Sequence, residues 1–293
     1  MSNVKRKIVL SGQKILSSIS PTLCSKWIYK KTQGKKLNLE NPQLFNEKLM
    51  WLKLKKYNNN ELVTECADKY MVRKYIKSCG CEEILNEIIR VYDNVDDINF
   101  EELPNEFVLK CNHAAGYNII CKNKKELDVL ETKKQLKKWL KDDYWKQYAE
   151  VNYKNIHKKI ICEKYLENKS KTDLEDYKFY CFNGKAQFVM ICIGRNTSEK
   201  TQYYFMDKDW KIMKINAYGL NAPENLNIEK PANIQEMFNY AEKLSKTFPF
   251  VRVDLYNVDG KIYFGELTFT PAGCVDNKYI GDAQKVLGDM IKL

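Results

Sequence analysis

Near the C-terminal end, two apolar runs carry charges where charges are hard to accommodate. Val251-Arg252-Val253-Asp254-Leu255-Tyr256 and Gly265-Glu266-Leu267-Thr268-Phe269 flank the segment Asn257-Val258-Asp259-Gly260. Asp-Gly between alternating runs signals a β-hairpin. Arg252, Asp254 and Glu266 then lie inside strands. A charge there is tolerated only when it is paired, metal-bound or solvated. Two carboxylates and one guanidinium brought together suit a divalent metal holding polyphosphate. A solvated charged face is the competing reading.

Register decides between them. A two-residue Asp259-Gly260 turn pairs Asp254 with Gly265 and sends Glu266 to the opposite face. A three-residue Val258-Asp259-Gly260 loop pairs Arg252 with Glu266 and brings Asp254 and Glu266 to one face. The sequence leads us to expect the odd loop, or a bulge with the same effect.

The chain has 293 residues and is 44% hydrophobic, enough for a sizeable core and not a disordered composition. No apolar run approaches the roughly 20 residues of a membrane span. Ten cysteines without a CxxC pair and only two histidines, His113 and His157, argue against a disulfide framework and a zinc site. Reduced thiols in a cytoplasmic protein are expected. Of the net charge of +11, most lies in residues 1–40, which hold nine Lys/Arg and one acid, Glu40. No nucleic-acid signature accompanies it, so no nucleic-acid partner is expected. The basic arm is open to two readings: a packed helix, or an amphipathic segment in peripheral contact with a membrane or anionic glycan.

Periodicity gives a coarse map. Helices are expected from Asn41-Pro42 to about Tyr57, from Glu61 to Lys77, from Glu131 to about Tyr148, from Glu236 to Thr247, and from Ala283. Strands are expected at Phe107–Cys111, 118–121 and 160–166, with a polar connection over 168–173. Hairpins are expected over 177–193, around Asn183-Gly184, and over 202–215. Helices preceding and interleaving with antiparallel hairpins point to an α+β architecture.

The chain lacks GxxxxGK[ST], GxGxxG, GxSxG and kinase motifs. What it holds is an ordered series: Asp68-Lys69, then Lys110 before the turn Ala114-Ala115-Gly116, then Glu163-Lys164-Tyr165-Leu166-Glu167-Asn168, Lys178, Arg252, Asp254, Glu266 and Thr268. This order resembles the ATP-grasp superfamily, and more closely its teichuronopeptide-biosynthesis (TupA-like) family. The resemblance rests on five ordered segments: FNEKLMWLKL (45–54), ADKYMVRKYI (67–76), LPNEFVLKCNHAAGYNII (103–120), DYKFYCFNGK (176–185) and FPFVRVDLYNVDGKIYFGELTFTPAG (248–273).

The resemblance implies an ATP-grasp fold, with nucleotide held between two α+β subdomains bearing antiparallel sheets. It implies a basic arm at 1–40, a helical region at 41–105, subdomain 1 at 106–166 and subdomain 2 with the metal site at 167–293. It implies ATP and Mg²⁺ as cofactors. Lys69 and Lys110 would meet phosphate, beneath the backbone of Ala115 and Gly116, and Lys178 would be a further phosphate or base contact. Glu163 and the Lys164–Leu166 backbone, with Tyr165 between, would hold adenine and ribose. Asp254 and Glu266 would ligate Mg²⁺. Thr268, where most ATP-grasp enzymes carry asparagine, would complete the metal site as a poorer ligand. Arg252, with Lys110, would serve the transferring phosphoryl group. The implied reaction joins a carboxylate to an amine through an acyl phosphate, on a uronic acid or similar acid of a bacterial surface polysaccharide. A sugar kinase of the same fold and a glycosyltransferase of the same pathway are the alternatives.

Overall fold

The computed structural model describes residues 3–167, 175–194 and 201–293. The connection expected over 168–173 therefore lies outside the described residues. Five helices come first: α1 (Asn3–Ile19), α2 (Pro21–Gln33), α3 (Phe45–Trp51), α4 (Glu61–Ala67) and α5 (Val72–Ser78). Strands β1 (Ile88–Tyr92), β2 (Phe107–Cys111) and β3 (Asn118–Cys121) follow, then α6 (Val129–Lys141) and β4 (Ile160–Lys164). These four strands form one antiparallel sheet in the order β1-β4-β2-β3. A second antiparallel sheet, ordered β7-β6-β5-β8-β9, comprises β5 (Glu175–Phe182), β6 (Lys185–Ile193), β7 (Gln202–Met206), β8 (Phe250–Val258) and β9 (Lys261–Thr268). Helices α7 (Ala217–Leu220) and α8 (Ile234–Ser245) lie between β7 and β8, and α9 (Ala283–Asp289) follows β9.

Each sheet buries one face. Phe107, Leu109, Cys111, Ile160 and Cys162 point to one side of the first sheet and pack with Leu136 of α6. Phe179, Val251, Val253 and Leu255 point to the back of the second sheet and pack on α8, where Phe179 meets Phe238 edge-on at 4.9 Å. The alternate residues of these strands, Lys110 and Glu163 in one sheet and Lys178, Arg252 and Asp254 in the other, are thereby sent to the opposite faces.

Several boundaries differ from the sequence reading, each for a local reason. The helix expected over Glu61–Lys77 is broken. The Asp68 carboxylate accepts hydrogen bonds from the N–H groups of Tyr70 and Met71 at 2.7 and 3.2 Å, which ends α4 and starts α5. Lys69 thus lies in the break and not on a helix. The helix expected to run to Tyr148 stops at Lys141, and 3₁₀ turns follow. The expected Trp210–Ile215 strand reduces to a single bridge between Met206 and Ile212. There Trp210 takes φ 66° and its indole N–H donates to the Ile228 carbonyl at 2.8 Å. Strand β1 was not foreseen.

Residues 9–33 of the basic arm are helical and docked. Ser17 donates to the Lys146 carbonyl at 2.7 Å, and Lys14 pairs with Asp142. Ile15, Ile19, Leu23 and Trp27 remain exposed. No helix among the described residues is long and apolar enough to cross a membrane.

Candidate active site

The C-terminal hairpin turns on two residues, Asp259 and Gly260, both in the left-handed region at φ 49° and 85°. That is a tight primed turn, so the odd loop and the Arg252–Glu266 pairing are not what forms. Val258 pairs with Lys261, and the register then slips by one between Asp254 and Leu255. Gly265 is the extra residue of this bulge. A Cβ on it would lie 2.9 Å from the Asp254 carbonyl oxygen, closer than such contacts occur. Beyond the bulge, Asp254 stands opposite Glu266 and Arg252 opposite Thr268. Both carboxylates therefore share one face, by the bulge and not by the loop.

Strand β5 extends that face. It places Lys178 opposite Asp254, Asp176 opposite Tyr256 and Tyr180 opposite Arg252. The result is a charged ladder. Lys178 Nζ lies 2.6 Å from Oδ2 of both Asp176 and Asp254. Arg252 donates to both Asp254 oxygens at 2.7 Å, to Thr268 Oγ1 at 3.1 Å and to Glu266 at 3.5 Å. Thr268 in turn donates to Glu266 at 3.0 Å. Thr268 is thus held between Arg252 and Glu266.

The first sheet faces this ladder with its own pair, Lys110 and Glu163, at 2.6 Å. Lys69 reaches across from the α4–α5 break. It donates to the Ala114 carbonyl at 2.6 Å and lies 3.8 Å from Glu266. The turn after β2 leaves Ala115 and Gly116 exposed, and Gly116 takes φ 73°. Between the sheets lies a cleft of about 360 Å³. Lys69, Lys110, Ala115, Gly116, Glu163, Lys178, Asp254 and Glu266 all line it.

Electrostatics follows from this crowding. Burial alone would raise the Glu266 carboxyl, but Lys69, Arg252 and Lys178 outweigh it and hold the group down at about 2. Burial pushes the Asp254 carboxyl up, against the pull of Arg252 and Lys178. Every cation named here rests on at least one carboxylate. A polyanion entering the cleft would exchange partners instead of meeting bare charge.

Some expected residues sit elsewhere. Lys164 and Tyr165 turn their side chains to a separate shallow cavity with Glu87 and Asn105. Leu166 lines neither cavity. None of the three lines the cleft; the link to it is Asn86, a cleft residue that donates to the Lys164 carbonyl at 2.9 Å. His113 is buried, with Nε2 at 3.2 Å from the Trp139 carbonyl. Burial, helped by Lys158, lowers its pKa to about 4. His157 sits beside Asp93 at 3.1 Å.

Sequence reasoning missed Asp176, Arg73 and Asn86, all of which line the cleft. Asp176 was findable, because it precedes Lys178 with the same alternation that joins Arg252 to Asp254. Arg73 and Asn86 reach the cleft only through the chain path.

Among solved structures, the chain is similar to a D-alanine–D-alanine ligase from Bacillus anthracis. Identity is 19% and the TM-score 0.49, over 78% of this chain and 66% of that one. It is also similar to an L-amino acid ligase from Bacillus licheniformis, at 13% identity and a TM-score of 0.44, over 76% and 48%. The chain thus spans two thirds or less of the length of each. No match is found among curated proteins. The family model described as TupA-like ATPgrasp matches residues 47–292. The chain therefore belongs to the TupA-like ATP-grasp family.

Proposed function

We propose that the cleft binds Mg·ATP and that the chain is an ATP-dependent carboxylate–amine ligase. One observation carries the reading: a single sheet face on which Asp254 and Glu266 stand opposite each other, ringed by Lys69, Lys178 and Arg252. The donor set suits Mg²⁺, which takes one or two carboxylates and completes its shell with phosphate oxygens and water. The described residues hold no group of three or more metal-binding side chains, so Asp254 and Glu266 would share the ion with the nucleotide. When bound, the ion neutralises phosphate charge.

The reaction balances as follows. A substrate carboxylate oxygen attacks the γ-phosphorus. The new O–P bond forms as the bond to the bridging oxygen breaks, and ADP leaves with that electron pair. An amine then attacks the acyl carbon. The C–N bond forms, the C–O bond to phosphate breaks, inorganic phosphate departs, and the amine proton passes to solvent.

Lys69, Lys110 and Lys178 meet the phosphates, and Arg252 faces the charge that develops on the transferring group. Ala115 and Gly116 cover the phosphates with backbone N–H groups. Glu163 and the backbone of Lys164, Tyr165 and Leu166 hold adenosine. Thr268 positions Glu266 and adds at most a weak metal ligand. Closure of the two sheets on the nucleotide excludes water, which acyl phosphates require.

The family's link to teichuronopeptide synthesis supports a uronic acid or similar acid of a bacterial surface polysaccharide as acceptor, in the cytoplasm. The exposed Ile15, Ile19, Leu23 and Trp27 beside the lysines of α1 and α2 support peripheral contact of the arm with an anionic membrane or glycan.

Isothermal titration of Mg·ATP tests the nucleotide site, with Glu266→Ala and Lys110→Ala as controls. The wild type should bind only with Mg²⁺, and each variant should lose at least about tenfold in affinity. No binding by the wild type, or unchanged binding by both variants, refutes the assignment. ADP release that requires an acid and an amine, with an amide as product, completes the test. A phosphorylated product without amide would identify a sugar kinase. Sugar-nucleotide turnover without ATP would identify a glycosyltransferase.

A further inference from the structure

A second cavity, of about 240 Å³, lies farther along the same face of the second sheet. Lys178 lines both it and the nucleotide cleft, while Arg252 lines this cavity and reaches the cleft residue Asp254 through two hydrogen bonds. Three properties of this cavity describe an occupant.

The first is charge. Arg252 spends Nε and Nη2 on Asp254, Glu266 and Thr268, while its Nη1 has no hydrogen-bond partner among the described residues. Lys278 sits 4.1 Å over the Tyr203 ring and forms no ion pair among the described residues. The inner wall is therefore cationic, and the rim carries Lys278 together with the acidic residue Asp276, whose Oδ1 accepts from the Lys278 backbone N–H at 3.0 Å.

The second is shape. Tyr180, Tyr203, Phe205 and Tyr279 supply aromatic walls, and Tyr279 packs against Phe205 and edge-on against Phe45. The volume falls below the roughly 300 Å³ at which sites for drug-sized ligands begin. The occupant is one small ring or one amino acid in size.

The third is an orphan acceptor. Asn46, at the start of α3, is 1% exposed. Its Nδ2 donates to the Asp276 carbonyl at 2.7 Å, which fixes the orientation of the amide. Its Oδ1 is buried with no partner. Such atoms are rare in folded proteins and mark a missing donor.

We infer that this cavity is the acceptor pocket for a small organic acid. Its carboxylate lies against Arg252, an O–H or N–H on its body donates to Asn46 Oδ1, and its apolar face lies on the aromatic walls. The inference rests on the ligase reading for one point only, that this acid is the group phosphorylated. The pocket itself rests on its own geometry. Hydroxy acids of the sugar series and α-amino acids share the required chemistry, so the test separates them.

The test uses the full chain and three probes: hexuronic acids, α-amino acids, and acetate, which lacks the second donor. Binding is read by saturation-transfer NMR without nucleotide. ADP release is read with Mg·ATP present, and Mg·ATP affinity by calorimetry. One of the first two classes should bind at least about tenfold tighter than acetate. Asn46→Leu should raise the KM of that acid about tenfold or more, with kcat and Mg·ATP affinity within about threefold. Tyr203→Leu, which leaves the Asn46–Asp276 contact in place, should act in the same direction. Acids that bind no better than acetate, or variants with unaltered KM and binding, overturn the pocket. Acid binding in a protein that fails to bind Mg·ATP upholds the pocket and overturns the nucleotide reading instead.

Discussion

Lys178→Met is the sharpest probe of the charged ladder. It removes a cation that bridges Asp176 and Asp254, while the methionine keeps most of the apolar stem. The two Oδ2 atoms each lie 2.6 Å from the same nitrogen, so they are at most about twice that distance apart. Both carboxylates are nearly sequestered from water, with side-chain exposures of 6% and 2%. Removing one partner of a buried pair destabilises by roughly 3–5 kcal/mol. Arg252 still holds Asp254 through two hydrogen bonds, so the lower end, about 3 kcal/mol, is expected.

The loss must depend on pH. Two facing carboxylates raise one folded-state pKa above its unfolded value of about 3.9, so stability falls as pH rises through that window. The deficit should therefore be full near pH 7.5 and shrink towards pH 4. Adding Asp176→Asn to Lys178→Met removes the repulsion and should recover at least about 1 kcal/mol. Chemical denaturation of the wild type and of both variants, at three pH values, measures this. A deficit below about 1 kcal/mol at pH 7.5 would refute the ladder as a mutually compensating unit. So would a deficit that ignores both pH and the second substitution.

Two further outcomes are expected. Gly265→Ala should destabilise by about 1–3 kcal/mol, because its Cβ would press on the Asp254 carbonyl; thermal melting checks stability, and calorimetry should show weakened Mg·ATP binding as the carboxylate register shifts. Glu150 is buried and accepts a hydrogen bond from Thr270 at 2.7 Å, and burial raises its carboxyl to about 6. Folded protein thus binds the proton more tightly than unfolded, and stability falls as pH rises from about 4.5 to 6. Glu150→Gln keeps the Thr270 contact and should add about 2 kcal/mol relative to wild type above pH 6 and nothing below about pH 4.5. Denaturation across that range measures it, and a difference that does not change with pH would contradict the account.

The α+β architecture and most of the ladder were legible because both follow from alternation. Lys110, Lys178, Arg252 and Asp254 each interrupt an apolar strand with the period that sends a side chain to the other face. The hairpin was legible only as a choice between registers, since a bulge at Gly265 looks in sequence like any strand glycine. Lys69 was placed on a helix because apolar periodicity runs through Asp68. The break comes from a side chain capping its own backbone, which periodicity does not encode. Asn46 left no local signal. Its orphan oxygen exists only because Asp276, distant in the chain, takes the other half of the amide.

The shared wall has a thermodynamic consequence. Lys178 borders both cavities, and Arg252 on the acid side is hydrogen-bonded to Asp254 on the nucleotide side, so whatever fills one resets the charge seen by the other. Linkage then requires that nucleotide change the affinity for the acid by the same factor as the acid changes the affinity for nucleotide. A substitution at either residue alters that coupling as well as each affinity. Its effect on one ligand has meaning only when measured in both the presence and the absence of the other.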